Sequence, residues 1–156
     1  MSFNHLSDAE IKEALALRER LNLLKKQEIC KTNFLKFIDH MWDGFICGRH
    51  HKIFAEKLEG IANGTIKRLI VNMPPRHTKS EFASTYFPAW IMGRDPSRKI
   101  MQTTHTGELA VRFGRKVRNM MDSDIYKQIF PEVSLSSDSK SAGRWETNKS
   151  GEYFAA

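Results

Sequence analysis

The sequence predicts an α/β fold, an incomplete parallel sheet flanked by helices and preceded by an N-terminal helical segment. Three observations carry this. Apolar residues recur at helical spacing at Ile11, Ala14, Leu15, Leu17, Leu21 and Leu24. A short apolar run at 69–73 leads through a polar turn into a helical stretch that begins at Ser80. A second short run, 99–105, follows a crossover of about 25 residues, the spacing of two parallel strands joined by a right-handed connection.

Along the chain, Ser7 and Glu10 stand at the spacing of a capping box, which starts a helix over about 8–29. Its apolar stripe is expected to pack on a neighbouring element or to serve as a partner-binding arm. A second helix, 33–41, carries Phe34, Leu35, Phe37, Ile38 and Met41, and Gly44 and Gly48 then break the pattern. This divides the chain into 1–44, the helical segment, and 45–156, the α/β part. A third helix, 51–62, stops at Asn63 and Gly64. The helix over 80–87 is expected to end or kink at Pro88, which cannot donate a backbone hydrogen bond.

Thr106 opens another helix, reaching about residue 121, with Leu109, Ala110, Phe113, Val117 and Met120 on one side. Arg112, Arg115, Lys116 and Asn119 lie on a different arc, either a solvated face or a contact for DNA or a neighbouring subunit. Residues 131–141 turn to Ser, Asp and Lys and read as an exposed loop, whereas 143–154 reads as a hairpin turning at 148–151.

The chemistry concentrates where 69–73 meets the following helix, at Pro74, Pro75, Arg76, His77, Thr78, Lys79 and Ser80. Strand, loop, Lys-Ser and helix is the layout that cradles nucleotide phosphates. Backbone N–H groups and the helix start face the anion, the lysine reaches the β- and γ-phosphates, and the serine hydroxyl holds Mg²⁺. The general pattern G-x-x-x-x-G-K-[ST] would place glycines at 73 and 78, where this chain has Met73 and Thr78.

The stretch from Arg68 to Met121 closely resembles the ATPase domain of the large terminase subunit, the DNA-packaging motor of tailed bacteriophages, and the likeness extends over about 45–156. That family uses a Pro-Pro-Arg-His-x-Lys-Ser phosphate loop with Gly, Ser or Thr before the lysine, so Thr78 is a variant found within it. The resemblance implies a P-loop NTPase fold that binds ATP and Mg²⁺. Lys79 and Arg76 would take the catalytic roles, Arg76 by forking onto the γ-phosphate. Pro75, Arg76, His77, Thr78, Lys79 and Ser80 would contact the nucleotide, with Ser80 on the metal and His51 near the adenine. It also implies double-stranded viral DNA, the portal and the small terminase subunit as partners, a homo-oligomeric ring during packaging, and work in the host cytoplasm.

Phosphoryl transfer also needs a carboxylate to position water, normally after an apolar run on a strand beside the loop. No such strand follows Ser80, and in the family it comes shortly after the segment resembling 151–156. The chain is therefore expected to be the first part of a larger subunit, ending before its catalytic acids and its nuclease domain, and weak or inactive in hydrolysis alone.

The bulk properties narrow the alternatives. Net charge is +7 with a pI near 9.5, which favours polyanionic partners. From Arg94 to Arg118 seven Lys or Arg stand against Asp95 and Glu108. Cys30 and Cys47 have no partner pattern, and no zinc spacing occurs, His50 and His51 being adjacent. No stretch approaches a membrane span, and residues 1–8 lack the basic and apolar segments of a leader. Two other readings remain open. One is a basic nucleic-acid-binding or adaptor module in which Lys79 and Ser80 only cap a helix. The other is a helicase-like P-loop ATPase.

Overall fold

The computed structural model describes residues 7–156, of which 138–140 are described by backbone alone. The expectation about a leader falls partly on residues 1–6, outside the described residues. Helix α1 (Asp8–Thr32) begins with the capping box: the Ser7 N–H donates to Glu10 Oε2 at 2.7 Å and the Glu10 N–H to Ser7 Oγ at 3.4 Å. The Ser7 N–H, and after it the Ser7 hydroxyl at 2.8 Å, donate to the Glu10 carboxyl and hold it below the usual carboxylate range.

The stripe on α1 does not pack on a neighbour as expected. Ile11, Leu15, Leu17, Leu21 and Leu24 are all exposed, because among the described residues only the C-terminal end of the helix is covered by other elements. There Cys30 is buried, its carbonyl accepts the Trp90 indole N–H at 2.8 Å, and Gln27 donates to the Gln128 carbonyl at 2.6 Å.

Asn33 caps α2 (Phe34–Met41) by accepting the Lys36 N–H at 2.8 Å. Phe34 sits at the centre of an aromatic cluster, with ring centroids 5.9 Å from Phe82, 5.6 Å from Phe87 and 5.1 Å from Trp90. The Phe34 N–H donates to Glu59 on α3 (Arg49–Ala62) at 2.7 Å, tying the two helices together. Cys30, Phe34, Phe37 and Ile38 share one core cluster with Phe54, Phe82, Trp90, Tyr126 and Trp145.

Residues 69–73 keep the alternation expected of a strand: Leu69, Val71 and Met73 are half-buried against the core, while Ile70 is 88% exposed. They have no ladder partner among the described residues, so the expected strand pair between 69–73 and 99–105 does not form. The strand at 99–105 forms over β1 (Lys99–Gln102) and takes its parallel partner from much later in the chain, at β4 (Glu152–Ala155).

The helix after the loop begins at Lys79 and does not stop at Pro88. It runs through α4 (Lys79–Glu81), a π-helical turn (Phe82–Tyr86) and α5 (Phe87–Arg94). The wider turn explains the passage: the Phe87 N–H bonds back to the Phe82 carbonyl, and Pro88 falls in the first turn of the renewed α-helix, where its missing N–H costs little. Phe82, Tyr86, Ala89, Trp90 and Met92 bury nearly the whole of this rod.

Beyond β1 come α6 (Gly107–Asp122), α7 (Asp124–Ile129), β2 (Leu135–Lys140), β3 (Arg144–Thr147) and β4. The sheet order is β1-β4-β3-β2. Only β1 and β4 are parallel, so the expected parallel sheet is corrected to a small, mostly antiparallel mixed one within an α/β fold. The expected loop at 131–141 contributes β2, because antiparallel pairing with the next strand, β3, overrides a polar composition. The β3–β4 hairpin forms as expected.

Helix α6 covers one face of the sheet. Trp145 stacks on Tyr153 at 4.9 Å and donates its indole N–H to the Gly114 carbonyl at 3.2 Å. The other face leaves Met101 70% exposed and Phe154 partly so. No described helix is long and apolar enough to cross a membrane.

A Cβ at Gly114 would stand 2.7 Å from the Ala142 carbonyl oxygen and 3.0 Å from the Tyr153 ring. Gly114→Ala should therefore cost about 1–3 kcal/mol of stability. Thermal denaturation of the variant checks this, and an unchanged melting temperature would contradict the close seating of α6 on the sheet.

Candidate functional site

The turn at 74–78 joins the extended segment to the rod, and its backbone is unusual at two places. Arg76 has φ 63° and Thr78 has φ 59°, both left-handed without being glycine. Such a conformation costs an ordinary residue about 1–2 kcal/mol and is rarer still for a β-branched one. Position 78 is where the general phosphate-loop pattern has glycine, so Thr78 adopts the backbone shape that explains that preference. Met73, at the other glycine position, has no positive φ.

A chain of hydrogen bonds holds Thr78 in this shape. Its hydroxyl donates to the His77 carbonyl at 2.6 Å and meets His51 Nε2 at 2.8 Å. The other His51 nitrogen, Nδ1, accepts the Gly48 N–H at 2.9 Å, so the ring proton lies on Nε2 and is donated to Thr78. On the loop itself His77 Nδ1 donates to the Pro75 carbonyl at 2.9 Å. His51 is buried, stacked on Phe82 with centroids 5.0 Å apart and an angle of 17°, and Phe45 lies 5.0 Å away. Burial, and after it the neighbouring His50 and His77, push its pKa below the ordinary histidine value.

Lys79 is half-buried, and its ammonium folds back across the turn to the Met73 carbonyl at 3.4 Å. No carboxylate pairs with it among the described residues. The Phe82 N–H reaches the Thr78 carbonyl at 3.0 Å, closing the first helical turn. The N–H groups of Lys79, Ser80 and Glu81 precede that bond and find no backbone acceptor among the described residues. Pro75, Arg76, His77 and Ser80 are exposed, and neither the Arg76 guanidinium nor the Ser80 hydroxyl has a hydrogen-bond partner among the described residues. The result is a run of open N–H groups beside one ammonium that has no carboxylate partner among the described residues.

The structure thus brings His51 together with Pro75, Arg76, His77, Thr78, Lys79 and Ser80. Both ring nitrogens of His51 are used inside the protein, by Gly48 and Thr78, so its contact is with the loop. The arc on α6 divides: Lys116 pairs with Glu81 at 2.6 Å, while Arg112 and Arg115 are exposed. That ion pair ties α6 to the start of the rod.

Sequence reasoning missed Gly48, Phe45 and Phe82 as supports of the site. Their spacing along the chain gives no sign that they meet. It did notice the adjacent His50 and His51, whose rings lie 3.8 Å apart, with His50 5.6 Å from His77. Among the described residues no group of three or more His, Cys, Asp or Glu is placed to hold a metal ion. Comparison with protein-family models, with curated proteins and with solved structures gives no match to this chain.

Thr78→Val keeps the β-branched shape but removes the hydroxyl that joins His51 to the His77 carbonyl. It should lower stability by about 1–2 kcal/mol, the consequence of leaving the buried His51 ring N–H unpaired. A urea melt measures this, and a variant as stable as the parent would show that the hydroxyl bonds do not hold the turn.

Proposed function

We propose that the 74–80 loop binds the phosphates of ATP together with Mg²⁺, and that the chain is the nucleotide-binding part of a viral DNA-packaging motor resembling the large terminase subunit. The observation that carries this is the Lys79 ammonium, which lies across a left-handed turn of open N–H donors with only the Met73 carbonyl as partner among the described residues. A triphosphate supplies the negative charge this arrangement lacks. Lys79 would move from the carbonyl to the β- and γ-phosphates, and the N–H groups of 78–80 would take the bridging oxygens. Arg76, exposed and unpaired among the described residues, would fork onto the γ-phosphate.

The residues present fit a magnesium ion bound chiefly through phosphate. The Ser80 hydroxyl is exposed beside Lys79 and unclaimed among the described residues, and Mg²⁺ commonly takes few protein ligands, phosphate oxygens and waters. When bound, the ion would neutralise charge on the phosphates. In the motor reading this chain works in the host cytoplasm on double-stranded DNA, beside the portal and the small subunit, within a ring of copies. Those partners follow from the resemblance of 68–121 alone.

A non-hydrolysable Mg·ATP analogue should raise the melting temperature of the parent chain, and Lys79→Ala should abolish the rise. A Kd about 100-fold below the ligand concentration would give about 2.7 kcal/mol of stabilisation. An analogue shift that survives Lys79→Ala removes Lys79 as a phosphate ligand.

Arg112 and Arg115, exposed on α6 without ion-pair partners among the described residues, favour a second reading as a basic nucleic-acid-binding module. Replacing both by Ala should weaken duplex DNA binding and reduce the salt slope by about two. Binding with the same slope in the double variant would place the DNA contact elsewhere.

A further inference from the structure

We propose that His51 is a positioning residue that latches the 74–78 loop in its left-handed form, and that it does so only as a neutral ring protonated on Nε2, so that acidification releases the loop. The effect on nucleotide rests on the phosphate-loop reading, whereas the latch itself does not.

The geometry leaves one protonation state that works. The Gly48 N–H points at Nδ1 from 2.9 Å, and a backbone amide cannot reverse its role. Nδ1 must therefore be bare, and the single proton sits on Nε2, where Thr78 receives it at 2.8 Å. A second proton would set two N–H donors against each other at the start of α3. The ring would lose that bond and swing away from Thr78.

Thr78 would then hold φ 59° with only the His77 carbonyl on its hydroxyl. The steric cost of a left-handed β-branched residue is no longer offset, so the turn relaxes toward ordinary backbone. Lys79 is the next residue, and its ammonium would leave the Met73 carbonyl with it. His51 thus acts on the phosphate site through Thr78.

The surroundings oppose a charged ring. From α3 itself His50 stands 3.8 Å away, and from the loop His77 adds to the same field. The rod and the 42–48 segment present the Phe82 and Phe45 rings, which bring no countercharge. The folded-state pKa therefore lies below the unfolded value of about 6.5, and the folded protein binds fewer protons than the unfolded chain. The latch is fully present above about pH 6.5 and is lost as the pH falls through the lower folded value. The exposed turn needs no global unfolding to respond.

Nitrogen-resolved NMR of the histidine rings, together with the Thr78 and Lys79 amide signals, tests this in the nucleotide-free protein. His51 should appear as the Nε2–H form at pH 7.5. The Thr78 and Lys79 signals should titrate with the His51 midpoint, and His51→Gln, which retains a donor but does not titrate in this range, should remove that response while α6 signals stay in place. A doubly protonated or Nδ1–H ring at neutral pH would overturn the proposal without any variant. So would a Thr78 response that persists in His51→Gln, since it would then belong to His77.

The Mg·ATP analogue separates the two claims. If the loop titrates with His51 but no analogue binds at pH 7.5, the latch stands and the nucleotide reading fails. If the analogue binds equally at pH 7.5 and 5.5 while the loop signals ignore His51, the nucleotide reading stands and the latch fails.

Discussion

A threonine in left-handed backbone, one residue ahead of Lys79, is the constraint on which the site depends. Left to itself Thr78 would take an extended or helical shape, and the turn would open. It is held because its hydroxyl lies between the His77 carbonyl and the His51 ring, and that ring is clamped in turn by the Gly48 N–H and the face of Phe82. His77 and Phe82 flank Thr78 along the chain, but His51, 27 residues earlier, and Gly48 come from the start of α3, so the turn's shape depends on a tertiary contact. Lys79 inherits its direction from it, as do the open N–H groups that follow.

The rest of the fold supplies the rigidity behind that clamp. Phe82 belongs both to the support of His51 and to the aromatic cluster around Phe34, so the core reaches to within one residue layer of the loop. The π-helical turn lets the rod pass Pro88 and bury Trp90, whose indole N–H fixes the end of α1. On the far side the Lys116–Glu81 pair joins α6 to the rod's first turn, and α6 carries the sheet. This surface pair is worth little energy by itself, and its effect is to set where α6 meets the loop.

Features written in neighbouring residues were legible in the sequence. The Ser7–Glu10 box, the glycine stop at Gly64, the Thr106 cap and the turn at 148–151 all depend on contacts a few residues apart. The Lys-Ser pair after an apolar run was equally readable, and the structure places both residues at a helix start. What failed was the choice of packing and pairing partners. The 69–73 alternation was real, but which strand lies beside β1 is decided at 152–155. The Ser-rich stretch became β2 because β3 offered it a ladder, and the exposed leucines of α1 look like a core face until no neighbour arrives. His51 was noticed as a helix-start residue, yet its bond to Thr78 spans 27 positions and leaves no local trace.

The most direct measurement is amide chemical-shift mapping during titration with a Mg·ATP analogue. If the turn encloses a polyphosphate, the largest changes fall on residues 76–80 and on Gly48, coupled to the loop through His51, with little change on α6. Changes confined to the arc of Arg112 and Arg115, or none at saturating analogue, would contradict a phosphate site at Lys79.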